Sequence, residues 1–399
     1  MSAGHNTAAP LFRSFWMGGF ESACHINRKG RRLDMLAATQ HDRFIDQDYA
    51  QLLPLNIRTV RDTLRWHLIE QRPNSYDFSS LDPQLDAARR HGIQVIWDLC
   101  HYGWPDGLDI FSAAFVDRFA SFCRAAAWHL RERVEGPLLV TPMNEISFFA
   151  WAAAEVGWFH PFAERRGAEL KRQLIRASIA SIEAILAVDR QARIITAEPL
   201  INVIPPQGQP DVNRVAAQYR AAQFEAWDML AGRQAPELGG DPKYLDVIGV
   251  NFYHDNQWEH PGGEKIHWHI EPRDARWMPF NKLVAEVYER YRKPIVIAET
   301  SHVGVGRAAW IREMTDEVCI ALENGVPIEG VCLYPIVDRF EWEDSAHWHN
   351  SGLWDYAINP AGAFNRVLNA EYAAELLACQ QRVSATLGKN AAEELAIAI

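Results

Sequence analysis

The feature that most constrains the fold is a regular alternation of short apolar runs and longer amphipathic segments along the 399-residue chain. Eight apolar runs have the length of buried strands: Ser14–Phe20, Ile57–Arg61, Gln94–Leu99, Leu138–Pro142, Arg193–Ala197, Val247–Asn251, Pro294–Ala298 and Gly330–Tyr334. Apolar residues at helical spacing fill the segments between and after them, as in Phe111–Arg131, Leu170–Leu186, Val212–Ala231, Lys282–Tyr291, Ala308–Asn324 and Ala361–Ser384. Such alternation predicts a parallel sheet with crossover helices, and eight units can close into a (β/α)8 barrel.

This pattern predicts an α/β protein with a single TIM-barrel domain over residues 1–399. We expect the barrel at about residues 14–384 and a flexible N-terminal segment at residues 1–12. A doubly wound open sheet is the structural alternative, but no GxGxxG or GxxxxGK motif follows the first predicted strand. The long segment His254–Pro279, which is rich in Pro, Gly, His and Trp, predicts a loop that is either functional or disordered.

Charge and cysteine usage limit the partners. The formal net charge is −11, which argues against a nucleic-acid partner because such a partner would require a basic face. The sequence shows neither a signal peptide at the N-terminus nor a run apolar enough to span a bilayer. The six cysteines form no CxxC motif, so we expect reduced, buried thiols. We therefore expect a cytoplasmic protein without a membrane partner, and the sequence leaves its oligomeric state open.

Polar residues follow several of the apolar runs, where the strands of a barrel end and its chemistry resides. Asn144-Glu145 follows the fourth run and Glu299 the seventh, while Arg61, His101 and Asn251-Phe252-Tyr253 stand near other strand ends. Two carboxyl groups that converge on one pocket are the equipment for cleaving a glycosidic bond. A negative charge nearby would raise the pKa of the acid and so separate the two roles.

At these positions the sequence resembles glycoside hydrolase family 1, a family of retaining (β/α)8 glycosidases. The resemblance runs in the family's order from about Phe15 to Leu353. The segments that carry it are Arg61–Trp66 (R-F-S-I-x-W), Leu99–Pro105 (Y-H-W-D-x-P), Thr141–Glu145 (T-x-N-E-P), Ile248–Tyr253 (I-G-x-N-Y-Y), Ile297–Thr300 (I-T-E-N-G) and Asp338–Trp342 (D-N-F-E-W).

The resemblance implies a role for each matching position. Glu145 would be the acid/base and Glu299 the nucleophile. Arg61 and Tyr253 would hydrogen-bond Glu299 and support its charge. The implied substrate-binding residues are His25, His101, Asn144, Tyr253, Tyr334, Glu341 and Trp342.

The sequence departs from the family pattern beside both carboxyl groups. Ile146 follows Glu145 where the family has Pro, and Thr300 follows Glu299 where it has Asn. His25 stands about where the family has a sugar-binding Gln, and Gly103 replaces an Asp. These changes indicate a divergent member or a neighbouring family of the same clan.

The favoured hypothesis is a retaining, exo-acting β-glycosidase that hydrolyses a terminal neutral β-linked sugar of a glycoside or oligosaccharide through a covalent glycosyl-enzyme. A transglycosidase with the same carboxyl pair, a metal-dependent barrel hydrolase and a non-catalytic sugar-binding protein are the alternatives. We expect no cofactor and no metal, and we interpret the His267/His269 and His347/His349 pairs as loop residues. Glu198 is the rival carboxyl group, which we expect to be structural.

Overall fold

The computed structural model describes residues 10–358 and 364–397. Within them, eight parallel strands close into a barrel: β1 (Trp16–Gly19), β2 (Thr59–Thr63), β3 (Gln94–Asp98), β4 (Leu139–Thr141), β5 (Arg193–Pro199), β6 (Val247–Asn251), β7 (Ile295–Thr300) and β8 (Ile328–Leu333). Each strand pairs with its neighbours in chain order, and β1 pairs with β8 to close the ring. The predicted TIM barrel is therefore confirmed, with strand bounds shifted by a few residues.

Helices cover the outside of the barrel. The main ones are α1 (His41–Ala50), α2 (Asp82–His91), α3 (Ala113–Arg131), α4 (Gly167–Leu186), α5 (Asn213–Ala221), α6 (Glu225–Leu230), α7 (Phe280–Tyr291), α8 (Arg307–Glu323) and α9 (Ala370–Ile397). Their apolar faces and the outer face of the barrel form one large buried cluster. No helix in the described ranges is long and apolar enough to cross a membrane.

Two predicted helices differ from the observed ones. The predicted helix Val212–Ala231 is broken by a 3-10 turn at Ala222–Phe224, where the Gln223 side-chain amide donates to the carbonyl of Arg220 over 2.8 Å. The predicted helix Ala361–Ser384 is wrong at its start, because Phe364–Leu368 is a strand paired antiparallel with Trp354–Ile358. Residues 359–363 lie outside the described part of the chain.

The lower end of the barrel is filled by apolar side chains that point inward from the strands, among them Met17, Ile96 and Val296. Phe12 packs onto this floor and is buried. Of the N-terminal segment predicted to be flexible, residues 1–9 lie outside the described residues. All six cysteines are free thiols, and only Cys319 is partly exposed.

The long loop after β6 is ordered by a short strand. Gln257–Glu259 pairs in parallel with Asn202–Ile204, which follows β5. Inside this pair, Asn202 Nδ2 donates to Gln257 Oε1 over 2.9 Å, and both side chains are buried. The βα loops of β5 and β6 are thereby joined into one wall above the carboxyl ends of the strands.

Candidate active site

The carboxyl ends of the strands bring the predicted polar residues into one pocket. Glu299 lies near the end of β7 and is 4% exposed. Glu145 follows β4 and begins a short helix, Ile146–Ala150, with a left-handed φ of 44°. Such a conformation is costly for a residue with a Cβ, and it turns the Glu145 side chain into the pocket region.

Glu299 is held by a cation and a phenol. Arg61 Nη1 donates to Glu299 Oε1 over 2.6 Å, and the Tyr253 hydroxyl donates to Oε2 over 2.7 Å. Arg61 is itself 1% exposed and is fixed by Asp98, to which its Nε donates over 3.0 Å. A buried guanidinium between two carboxylates stays charged, so Glu299 faces a permanent positive charge.

Glu145 has neutral partners instead. The Tyr102 hydroxyl donates to Glu145 Oε2 over 2.5 Å, and Asn251 Nδ2 donates to Oε1 over 2.9 Å. Burial, followed by the charge of Glu299, raises the pKa of Glu145 to about 8, while the two hydrogen bonds oppose this rise. At neutral pH Glu145 therefore holds a proton that it can donate.

Asn144 and His101 connect the two carboxyl groups. Asn144 Oδ1 accepts from Arg61 Nη2 over 2.6 Å, and its Nδ2 donates to the Tyr102 hydroxyl over 2.9 Å. Asn144 Nδ2 also lies 3.2 Å from His101 Nε2, and His101 Nδ1 lies 3.1 Å from Asp98 Oδ2. In this pattern His101 Nδ1 faces the acceptor Asp98 Oδ2, and His101 Nε2 faces the donor Nδ2 of Asn144.

His25 is buried without hydrogen-bond partners. It is 1% exposed, and neither ring nitrogen is bonded within the described protein. Its ring lies 4.4 Å from that of Phe159 and 4.7 Å from that of Trp342, and the indole N–H of Trp342 is likewise without a partner. Burial lowers the pKa of His25 to about 3, so the imidazole is neutral. Unpaired buried polar atoms are costly, and such atoms at a pocket wall are often satisfied by a ligand.

Tyr334 and Glu341 lie in the same region, both with internal partners. The Tyr334 hydroxyl accepts from the amide of Ser22 over 3.0 Å, and its ring lies parallel to that of His101 at 5.8 Å. Glu341 Oε2 lies 2.8 Å from His349 Nε2, and its carboxyl group is partly exposed. Tyr334 is 3% exposed, so its buried ring helps to fix the position of the His101 ring.

Sequence reasoning assigned no role to three residues that hold Glu145 or the partners of the two carboxyl groups. Tyr102 and Asn251 bond Glu145, and Asp98 anchors both Arg61 and His101. Each of the three stands within or beside a segment that carried the family resemblance. The available signal was their adjacency to His101 and Tyr253, but the sequence does not tell which side chain of a strand end faces the pocket.

The other carboxyl groups have separate partners. Glu198 accepts from the amide of Ser147 over 3.0 Å and so caps the helix that begins after Glu145. Glu21 forms an ion pair with Arg339 at 2.9 Å. Among the described residues, no group of three or more His, Cys, Asp or Glu side chains is arranged to hold a metal ion.

Comparisons with known proteins give a match by structure alone. No protein-family model and no curated protein sequence matches the chain. A family 1 β-glucosidase from Thermotoga maritima is 14% identical, with a TM-score of 0.72 over 91% of this chain and 96% of that one. The β-glucosidase from Thermotoga maritima in complex with glucoimidazole is 15% identical, with a TM-score of 0.73 over 94% of this chain and 99% of that one.

A third structure, a hyperthermophilic β-glucosidase mutant, has a TM-score of 0.71 at 14% identity and is covered along its whole length. Identities this low carry information about the backbone, whereas function depends on the side chains of the site. The chain therefore shares the (β/α)8 fold of these β-glucosidases over 91% to 94% of its length.

Proposed function

We propose that the protein is a retaining, exo-acting β-glycosidase that hydrolyses a terminal neutral sugar, with Glu145 as acid/base and Glu299 as nucleophile. One observation carries the proposal: two neighbouring carboxyl groups have opposite electrostatic environments. Glu299 is paired with Arg61, whereas Glu145 is partly buried, is bonded by the neutral side chains of Tyr102 and Asn251, and has its pKa raised to about 8. The acid must hold a proton at neutral pH, and the nucleophile must be ionised, so these two environments suit the two roles.

In the first step, a carboxylate oxygen of Glu299 attacks the anomeric carbon while Glu145 protonates the glycosidic oxygen. The bond to the leaving alcohol breaks, and an ester between the sugar and Glu299 remains. In the second step, the Glu145 carboxylate takes a proton from water as the water oxygen attacks the anomeric carbon, and the ester bond between that carbon and Glu299 breaks to restore the Glu299 carboxylate. The free sugar leaves, and both carboxyl groups return to their initial states.

The surrounding residues fit a neutral sugar. The unpaired nitrogens of His25 and the indole N–H of Trp342 are available to sugar hydroxyls, and His101, Asn144, Tyr334 and Glu341 would complete or support this pocket. Arg339 is the cation close to Trp342, at 5.5 Å from its ring, but its charge is compensated by Glu21. A phosphorylated or acidic sugar would need a cation that is not already paired.

The names of similar structures agree with this substrate class. One of them is a β-glucosidase from Thermotoga maritima in complex with deoxynojirimycin, 15% identical to this chain. β-Glucosides are therefore the first substrates to test.

The test is an assay of purified protein on nitrophenyl α- and β-glycosides, with Glu299→Ala and the matched surface variant Glu289→Ala. We expect release of nitrophenol from one or a few β-glycosides, a loss of several orders of magnitude in Glu299→Ala, and no change in Glu289→Ala. A 2-deoxy-2-fluoro β-glycoside of the accepted sugar should add the mass of one sugar, mapped to Glu299. Equal activity of wild type and Glu299→Ala, or a label on another residue, would refute the proposal.

A further inference from the structure

Glu198, near the carboxyl end of β5, lies beside the turn that carries Glu145. The amide of Glu145 donates to the carbonyl of Ala197 over 3.0 Å, so the backbone of the proposed acid is bonded to the residue that precedes Glu198. The Glu198 carboxyl group is buried, and it accepts from the amide of Ser147, which lies 3.0 Å from Oε2 and 3.4 Å from Oε1. These bonds hold the backbone at Glu145 and at the second residue after it.

The turn at Glu145 needs such support. Its φ of 44° is left-handed, which is costly for a residue with a Cβ and persists only where the surrounding structure fixes it. The amide of Ser147 belongs to the first turn of the helix Ile146–Ala150, where no intrahelical carbonyl is within reach. By accepting from that amide, Glu198 stabilises the backbone conformation that turns the Glu145 side chain into the pocket.

Glu198 ionises close to neutral pH. Burial raises its pKa to about 7, while its bonds to Ser147 and the charge of Lys171 on α4 oppose the rise. Lys171 Nζ itself donates to Glu225 Oε2 over 2.7 Å, so its positive charge is partly compensated. Beside Glu198, a cavity of about 10 Å³ is lined by uncharged residues, among them Ser178, Ile182, Trp227 and Leu230.

The charge of Glu198 acts on the proton of Glu145. Burial and the charge of Glu299 are the larger causes that raise the pKa of Glu145 to about 8, and the charge of Glu198 adds to them against the two hydrogen bonds. A negative charge disfavours the ionised form of a neighbouring carboxyl group. As pH rises through 7, Glu198 loses its proton first, and Glu145 then releases its own proton at a higher pH than it would beside a neutral residue.

We propose that Glu198 is a positioning residue for the acid/base: its carboxyl group holds the turn at Glu145, and its negative charge keeps the proton on Glu145 above neutral pH. The inference rests on the proposed function. The two effects require different properties of the side chain, since the turn requires an acceptor oxygen and the proton requires a charge. Glu198→Gln keeps an oxygen for the amide of Ser147 and removes the charge, whereas Glu198→Ala removes both.

The pH dependence of kcat/KM on the methyl β-glycoside of the accepted sugar tests the charge. Methanol is a poor leaving group, so this substrate needs the protonated acid. In Glu198→Gln the fall of kcat/KM at alkaline pH should move to lower pH by about half a unit, because Glu145 loses a negative neighbour. The matched control is Glu329→Gln on β8, whose carboxyl group also has its pKa raised by burial, and it should keep the wild-type profile. An unshifted profile in Glu198→Gln would overturn the proposal.

A comparison of leaving groups tests the position of the acid. In Glu198→Ala we expect kcat/KM on the methyl glycoside to fall about tenfold relative to kcat/KM on the dinitrophenyl glycoside, whose leaving group needs little protonation. Glu198→Gln should restore most of this ratio because it keeps an acceptor for the amide of Ser147. A merely structural role would lower kcat/KM on both substrates equally, and that result would overturn the proposal.

These outcomes separate the role of Glu198 from the proposed function. Hydrolysis by the wild type, with unchanged profiles and ratios in the Glu198 variants, would refute the positioning role and leave the glycosidase proposal intact. Hydrolysis of no glycoside by the wild type would refute the glycosidase proposal, and the positioning role with it.

Discussion

At the scale of single residues, the two carboxyl groups are distinguished by the charge of their neighbours. Arg61 donates to Glu299 and to Asn144, so the guanidinium fixes a negative charge on one side of the pocket and orients an amide on the other. Tyr102 and Asn251 donate to Glu145 without bringing a charge. The proton shared between two nearby carboxyl groups should therefore reside on Glu145.

The first prediction concerns the alkaline limb of the pH profile. Because an acid must be protonated to act and burial raises the pKa of Glu145 to about 8, kcat/KM should fall as pH rises through that value. Glu145→Gln should abolish this limb on a dinitrophenyl glycoside, whose leaving group needs little protonation. If the limb persisted in Glu145→Gln, another group would be the acid.

The second prediction concerns Tyr102, which the sequence did not single out. A hydrogen bond donated to a carboxylate favours its charged form, so Tyr102→Phe should raise the pKa of Glu145 further and move the alkaline limb to higher pH. We also expect kcat/KM at neutral pH to fall roughly tenfold, less than the roughly hundredfold or greater loss expected when the acid–base group itself is removed, because Glu145 remains in place. The control is Tyr76→Phe on an outer loop; a limb that stays in place in Tyr102→Phe would contradict the assignment.

At the scale of elements, the strand ends could be predicted from the periodicity of apolar residues. The directions in which individual side chains point could not. The strand ends that carry Glu145 and Glu299 were predictable because apolar runs stop there. Tyr102 was not, because its backbone adopts a left-handed φ of 65° that turns the phenol towards Glu145. A helical pattern was also assigned to Phe364–Leu368, which forms a strand instead.

That strand owes part of its conformation to a long-range ion pair. The Arg366 guanidinium donates from Nε and Nη2 to the two carboxylate oxygens of Asp48 on α1 over 2.7 and 2.8 Å. Both side chains are almost fully buried. The partners are 318 residues apart in sequence, so no local pattern indicates the pairing.

The third prediction is therefore one of stability. Arg366→Met leaves Asp48 buried without its main cation, which should cost roughly 3–5 kcal/mol of unfolding free energy. The control Arg89→Met breaks an exposed pair with Asp86 on α2 and should cost less than about 1 kcal/mol. Chemical denaturation of the three proteins measures both values, and equal stability of Arg366→Met and wild type would show that the pair contributes no net stability.

At the scale of the whole molecule, β2 links the catalytic pocket to the helices outside the barrel through two consecutive residues that point to opposite sides of the strand. Arg61 points into the barrel towards Glu299, and the next residue, Asp62, points outward to His41 and Tyr49. His41 Nδ1 in turn lies 2.8 Å from Asp48 Oδ2, which is bound to Arg366. One buried network thus joins β2, α1 and the strand Phe364–Leu368, so its charge state affects how firmly these three elements are held together.

His41 makes this network dependent on pH. Burial alone would lower the pKa of His41, but the charges and hydrogen bonds of Asp62 and Asp48 outweigh burial and raise it from 6.5 to about 9. A cation whose folded-state pKa is raised contributes stability that is fully present below the unfolded pKa and is lost as pH rises through the folded one. The part of the unfolding free energy that depends on the charge of His41 is on the order of 3 kcal/mol.

The fourth prediction is that the unfolding free energy of the wild type declines between pH 6.5 and 9 by more than that of His41→Gln. At pH 6.5 the variant should already be less stable, because Asp48 and Asp62 lose a shared cation. Asp48 keeps Arg366 as its cation, whereas Asp62 keeps only neutral donors such as the Tyr49 hydroxyl and the amide of Thr63 among the described residues. The surface variant His347→Gln should follow the wild-type curve. Denaturant unfolding at pH 6.5, 7.5, 8.5 and 9.5 measures the three slopes, and parallel curves for wild type and His41→Gln would mean that His41 is neutral in the folded protein.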